Sequence, residues 1–574
     1  MKERTLKILL IVTAFNSLTQ RIFCELRDAG HEVSVEYAIN NSVMEEAVEL
    51  FKPDLIICPY LTKKIPESIW KKITTIIIHP GPKGDRGPSS LDWAVMKNVK
   101  VWGVTALQAN SEMDAGDIWA SETFEMRDAS KASIYRREVA ALASRLVKEV
   151  LRKFRDKNFI PEKQDLSKPD YIGRPHSAMK QADRQIDWTK DDTDTVIKKI
   201  RASDSIPGVL DNILGLECYL YGAHKEDILR GRPGEVLAKR YGAICIGTVD
   251  GAVWITHLKE KAVKSMKLPA TFVLKSRLKG IKESRIPLVL EEKRETFKEI
   301  WFEQKADVGY LYFNFYNGAM SSEQCMRLKY AIEYLKEKDI KLLVLMGGED
   351  FFSNGIHLNI LEDSQKKAED GWSNIHSMNE LVKTILYTEE FLTVAAVRGN
   401  AGAGGVFLAL ACDFVIAREG VVLNPHYKTM GLYGSEYWTY TLPKRVGENT
   451  ALRLTEECLP VSASKACKLG LVDKVFDEDF LKFHNELEKF CCKLADSDEF
   501  YNILDEKIEK LELQESIKPL QTYRDMELEK MRPSFFDETS EFHKLRHDFV
   551  YKVCPISTPN RIAFHRKKLC MNTV

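Results

Sequence analysis

The chain lacks a surplus of charge of either sign: 84 Lys and Arg stand against 84 Asp and Glu in 574 residues. Such a surface has no global field to gather nucleic acid or an anionic membrane, so neither is expected as a partner. No run reaches the roughly 18 consecutive apolar residues of a membrane span. The short apolar run Ile8–Val12 behind Lys2, Arg4 and Lys7 leads into an amphipathic segment ending at Gly30, which reads as a first strand and helix rather than a secretory signal. The twelve cysteines include no CxxC pair, and Cys491 and Cys492 are adjacent, which is poor geometry for a disulfide framework. A reducing cytoplasm is the expected compartment. No GxGxxG follows the first strand, which removes the dinucleotide fingerprint. His543 and His547 share a helix face at i,i+4, but with no third ligand or HExxH the helix is expected to pack rather than bind a metal.

What is present is concentrated at Ile78–Ser90, IHPGPKGDRGPSS. The apolar and β-branched run Ile73–Ile78 stops at His79, and glycines and prolines then crowd the chain. That pattern predicts a buried strand with one imidazole at its carboxyl end, where open α/β sheets bind ligands. Strand and helix signals alternate from residue 1 to about 170 and predict a doubly wound sheet. Residues 171–262 carry shorter β runs such as Ala243–Thr248 and Val253–Leu258 behind Pro207-Gly208 and Pro233-Gly234. Residues 263–300 are rich in Lys, Glu and Arg and are expected to be a solvated linker. A second α/β pattern covers 301–480, and a charged helical extension covers 481–574.

The order of strand, His-Pro-Gly loop, Arg86-Gly87-Pro88, Gly103-Val104-Thr105 and Asp114-Ala115-Gly116-Asp117 resembles the formyltransferases that use 10-formyltetrahydrofolate. The resemblance implies a Rossmann-like domain at 1–170. It implies catalytic roles for His79 and Asp114, with Ile78, Arg86 and Gly87 around the folate. Ile77 stands where that family carries an Asn whose amide helps hold the oxyanion. The Arg184–Trp188 entry and Pro233-Gly234-Glu235-Val236 resemble the family's OB-like C-terminal domain, for which a structural role is expected. Beside the resemblance stands the chemistry: acyl transfer passes through an oxyanion that a protonated imidazole stabilises, while a carboxylate orients the ring or relays a proton.

The run Arg398–Asp413, RGNAGAGGVFLALACD, together with Phe352-Ser353-Asn354-Gly355-Ile356, resembles the crotonase (enoyl-CoA hydratase/isomerase) superfamily. It implies a thioester carbonyl held by the amides of Ile356 and Gly404, with Asn354, Gly355 and Gly405 around coenzyme A. Phe407 and Tyr427 fall where hydratases place glutamates, so water addition is not expected. His426, Tyr427 and Glu436 are the polar candidates left, in a Tyr-rich neighbourhood where a carboxyl pKa rises. The two domains on one chain resemble the HypX (HoxX) family of hydrogenase maturation factors. That resemblance implies formyl transfer from 10-formyltetrahydrofolate to coenzyme A and decarbonylation of formyl-CoA, giving carbon monoxide for a [NiFe]-hydrogenase, with iron-centre assembly proteins as possible partners. A formyltransferase or folate deformylase with a degenerate second domain, a formyl-CoA hydrolase, and a non-enzymatic assembly scaffold remain open.

Overall fold

The computed structural model describes residues 4–570. The chain divides into two compact units, Met1–Ser284 with Cys554–Val574, and Arg285–Val553.

In the first unit, β1 (Lys7–Val12), β2 (Glu32–Tyr37), β3 (Leu55–Cys58), β4 (Thr75–His79), β5 (Val101–Gln108) and β6 (Ile118–Glu125) form one sheet in the order β2-β1-β3-β4-β5-β6. β1 to β4 run parallel, and β1 and β3 are buried almost throughout because helices cover both faces. Leu9, Ile11, Ile56 and Cys58 pack under the helices Asn41–Phe51 and Glu67–Trp70. The helix Ala140–Arg155 lies on β5 and β6. The expected doubly wound pattern holds through β4, after which the sheet turns antiparallel. The loop from Ala109 to Asp117 is too short for a crossover, so β5 and β6 form a hairpin. β6 itself goes unrecognised in the sequence, because as an edge strand it is half exposed and carries Ser, Thr and two Glu.

β7 (Val209–Ile213), β8 (Leu216–Glu226), β9 (Val236–Arg240), β10 (Ala243–Gly247) and β11 (Ala252–Glu260) form an antiparallel sheet, order β7-β8-β11-β10-β9, over the helix Thr193–Arg201. The adjoining stretch differs from a solvated linker. Leu268, on the short strand β12 (Leu268–Pro269), pairs with β11, and Ala270, Leu274 and Leu278 enter the core of the small domain. Val289, Leu290 and Phe297 are buried as well. Their apolar spacing is masked by the surrounding Lys and Glu, whose charged heads stay in water.

In the second unit, β13 (Ile300–Lys305), β14 (Val308–Phe313), β15 (Leu342–Leu345), β17 (Leu392–Val397), β19 (Phe414–Arg418) and β22 (Lys474–Phe476) make the main sheet in that order. A smaller sheet joins β16 (Phe351–Ser353), β18 (Asn400–Gly402), β20 (Val422–Asn424) and β21 (Val461–Ser462). The helices Phe480–Ala495, Phe500–Ile517, Leu520–Phe536 and Glu541–Tyr551 are not an appendage. Phe483, Leu487, Cys491 and Phe500 pack against β14, β15 and β17, while Leu520, Met531, Phe535 and Phe542 join the central core. His543 bonds the Asp537 carbonyl through Nε2 at 2.9 Å, and the His547 ring lies 4.7 Å from that of Tyr551. The chain beyond Val553 belongs with the first unit, not with these helices.

Two candidate active sites

β4 carries His79 to its carboxyl end opposite Thr105 of β5. The loop that follows is tied down by its carbonyls: Ser90 Oγ and Trp102 Nε1 donate to Pro80 O at 2.8 and 3.0 Å, and Thr105 Oγ1 donates to Gly81 O at 2.8 Å. The imidazole is buried between two carboxylates. Its Nε2 is 2.7 Å from Asp85 Oδ2, and its Nδ1 is 3.6 Å from Asp114 Oδ1, an ion-pair distance rather than a hydrogen bond. The other oxygen of Asp85 lies 3.0 Å from His176 Nε2, so Asp85, wholly buried, links two imidazoles. Burial alone would lower the His79 pKa, but the Asp85 hydrogen bond and the charges of Asp114 and Asp85 outweigh it and raise the pKa. A Cβ on Gly81 would stand 2.2 Å from Asp85 Oδ2 and 2.6 Å from His79 Nε2. The glycine is there for space.

Asp114 sits in the β5–β6 loop at φ 55°, and its Oδ2 accepts from the Gly87 amide at 3.3 Å. Gln164 Nε2 donates to the carbonyls of Asp114 and Gly116 at 2.9 Å each, and Arg86 Nε donates to Gln164 Oε1 at 3.0 Å. Arg86 and Gly87 therefore brace the Asp114 loop. Ile78 is buried in the sheet, and the neighbouring Ile77, in the place of the family's Asn, is half-buried against the apolar cluster that holds Ile56, Cys58 and Ile69. The position offers no amide.

In the second unit β16 and β18 pair in parallel, so both chains leave the small sheet at the same end. There Gly355 (φ 76°) lies against Gly404: a Cβ on Gly355 would be 3.3 Å from the Gly404 nitrogen. Gly404 opens the helix Gly404–Leu410, so its N–H has no acceptor within that helix. Ile356 bridges Met320 through its neighbours, Met320 N to Gly355 O and His357 N to Met320 O, which turns the Ile356 amide the other way. Asn354 Nδ2 donates to Asn317 O at 2.7 Å and fastens the turn. Gly405 serves packing, since a Cβ would be 2.0 Å from Ser353 O.

Against Gly404 stands a carboxyl. A Cβ there would be 3.0 Å from Glu436 Oε1 and 3.2 Å from Met378 Cε. Tyr427 donates its hydroxyl to Glu436 Oε2, the Ser435 amide donates to the same oxygen at 3.2 Å, and the Tyr427 ring stacks on Phe407 with centroids 5.2 Å apart. Burial pushes the Glu436 carboxyl up to about 7, against the hydrogen bonds from Tyr427 and Ser435. Burial and the Glu436 charge raise Tyr427 well above the usual phenol value. Glu436 and Tyr437 both adopt left-handed backbone, φ 64° and 57°, at about 1–2 kcal/mol each for L-residues. Asn379 Oδ1 accepts from the Glu436 amide at 2.7 Å. His426 is buried at the entry to this loop. Asp85, His176, Gln164 and Asn379 carry no motif signal; Asp85 alone falls inside the loop that the sequence singles out.

Models of the formyl transferase family and of the formyl transferase C-terminal domain match residues 36–151 and 178–274, and that of enoyl-CoA hydratase/isomerase matches 305–553. Hydrogenase maturation factor HoxX of Bradyrhizobium diazoefficiens is 42% identical over 562 residues, 98% of this chain and 97% of that one. The chain belongs to the HypX/HoxX family of hydrogenase maturation factors. The crystal structure of HypX from Aquifex aeolicus in complex with tetrahydrofolic acid, at 48% identity, superposes with a TM-score of 0.95 over 98% of this chain and 99% of that one. Methionyl-tRNA formyltransferase of Fervidobacterium nodosum is 29% identical over 37% of this chain and 68% of its own length. The fold is thus a Rossmann-like formyltransferase domain, an OB-like domain and a crotonase-like domain extended by helices. No helix among the described residues is long and apolar enough to cross a membrane.

Proposed function

We propose that this chain makes the carbon monoxide ligand of the [NiFe]-hydrogenase iron in two steps, in the cytoplasm and beside the iron-centre assembly proteins. The observation that carries the reading is the Glu436–Tyr427 pair set against Gly404, in a unit joined to a formyltransferase on one chain. The tetrahydrofolic acid bound to the Aquifex relative supports a folate in the first unit.

In the first step the thiol of coenzyme A attacks the formyl carbon of 10-formyltetrahydrofolate. The His79 imidazolium, charged because two carboxylates flank it, stabilises the oxyanion that develops. It supplies the proton that the folate N10 takes on leaving, and Asp114 receives the thiol proton. The products are tetrahydrofolate and formyl-CoA. In the second step the Ile356 and Gly404 amides hold the formyl oxygen. The Glu436 carboxylate removes the formyl proton, the carbon–sulfur bond breaks, and the proton returns to the thiolate, with Tyr427 holding the carboxylate between the two transfers. Carbon monoxide and free coenzyme A result. Phe407, stacked on Tyr427 in the place of a hydratase glutamate, puts an aromatic ring where a carboxylate would activate water.

Purified protein given 10-formyltetrahydrofolate and coenzyme A should release carbon monoxide, trapped by a haem protein and read from its absorption. Formate as sole product would overturn the reading. His79→Ala should slow folate consumption by about 100-fold or more, while Glu436→Gln should leave that step running and let formyl-CoA accumulate.

A further inference from the structure

The helix Leu520–Phe536 turns one face to the loop that carries Glu436. Glu527, Lys530, Met531 and Ser534 stand at i, i+3, i+4 and i+7, and each bonds residues 431–439. Glu527 Oε2 accepts from the Tyr437 amide at 2.9 Å, and its Oε1 accepts from the amide and hydroxyl of Thr439 at 2.8 and 2.6 Å. Met531 Sδ accepts from the Gly434 amide at 3.0 Å. Ser534 Oγ donates to Gly431 O at 3.3 Å, and Lys530 Nζ donates to Tyr433 Oη at 3.2 Å. Glu527 itself is completely buried.

A buried carboxyl is costly unless its oxygens are bonded, and an apolar residue would fill the same space without that cost. What a carboxyl group supplies here is two oxygens that reach two amides of one turn, those of Tyr437 and Thr439. Tyr437 caps and Thr439 lies in the first turn of the helix Trp438–Val446, whose first amides have no acceptor of their own. Two consecutive non-glycine residues in left-handed conformation persist only where the surroundings hold them. Asn379 holds the amide of the first, Glu436, and Glu527 holds the amide of the second, Tyr437.

We propose that Glu527 is the positioning residue of the second site: by holding the amides of Tyr437 and Thr439 it fixes the turn that sets the Glu436 carboxyl against Gly404 and Tyr427. The helical extension thereby completes a site whose reacting groups all precede it in the chain. This rests on Glu436 being the acid–base group of thioester breakdown.

The test uses the full chain with formyl-CoA as substrate, and follows carbon monoxide release together with hydrogen exchange of the 431–442 amides. Glu527→Ala should lower kcat by about 100-fold, the effect of a misplaced reacting group, with KM close to the parent value, and exchange across 431–442 should accelerate. Glu527→Gln keeps the shape but turns one acceptor into a donor, so its kcat and exchange should fall between parent and alanine variant. Should Glu527→Ala fail to fold, the glutamine variant decides alone. Parent-like kcat and exchange in Glu527→Gln, or a loss confined to KM, would overturn the proposal. If the parent chain releases no carbon monoxide from formyl-CoA, the reading of the reaction falls, and exchange still decides the positioning: acceleration in the variants supports it, unchanged exchange overturns it.

Discussion

At the scale of single residues, His79 shows how environment makes a reagent of an ordinary side chain. A buried imidazole prefers to be neutral; Asp85 and Asp114, on either side, reverse that preference. Asp85→Asn removes one of the two charges and so lowers the His79 pKa. The high-pH limb of formyl transfer, where the imidazolium is lost, should then move to lower pH in a rate–pH profile. Gly81→Ala should move it the same way, because its methyl cannot coexist with the His79–Asp85 contact. An unmoved limb in both variants would remove Asp85 from the account. Motif order brings His79 and Asp114 into view from sequence alone. Asp85 reads there as one more polar residue of a Gly-Pro loop, and only the folded loop turns its carboxyl back on the ring. Glu527 is more distant still, ninety positions from Tyr437 in a helix whose charged composition reads as solvated surface.

At the scale of elements, the second site depends on how closely the helix Gly404–Leu410 approaches β16. Gly405 sets that approach, with Ser353 O where a methyl would have to be. Gly405→Ala must push the helix off the strand and part the Gly404 amide from that of Ile356. Overpacking of this kind costs about 1–3 kcal/mol, and at about 2–4 °C per kcal/mol for a unit of this size the melting temperature should fall by several degrees. Formyl-CoA breakdown should fall with it while folate consumption persists, and a variant that melts like the parent and still turns over would refute the packing role. Of the main strands, β14, β15 and β17 are legible, because a buried strand is nearly all apolar, as Leu392–Val397 is apart from Thr393. The short strands of the small sheet are not, since two or three residues are too few to show a period, and β6 hides its strand character in the polar residues of an edge.

At the scale of the molecule, the chain ends by returning to the unit in which it began. Val35 donates its amide to Ile562 O at 3.0 Å and Tyr37 donates to Thr558 Oγ1 at 2.8 Å, so the segment covers β2, the free edge of the first sheet. Glu36, fully buried, is met there by His565 at 2.9 Å, by Arg566 at 2.7 Å and by the Thr558 hydroxyl. Nothing in local sequence announces this contact, because a stretch of few apolar residues gives no pattern and its partner lies more than 500 positions away. A chain ended at Val553 would strip Glu36 of those partners and bare the edge of β2, and the first unit should be less stable, read as a lower melting temperature and earlier loss of folate consumption. The pH dependence identifies the cause. Burial alone would raise the Glu36 pKa, but the bonds from His565, Thr558 and Arg566 outweigh it and hold the carboxyl below its ordinary value. Stability from such a group is present above the unfolded pKa of about 4.5 and is lost as pH falls through the folded one. The gap in melting temperature between parent and shortened chain should therefore be wide at neutral pH and narrow in acid. A gap that stayed constant down to pH 3 would assign the stabilisation to the apolar contacts of Ile562 and Ala563 rather than to Glu36.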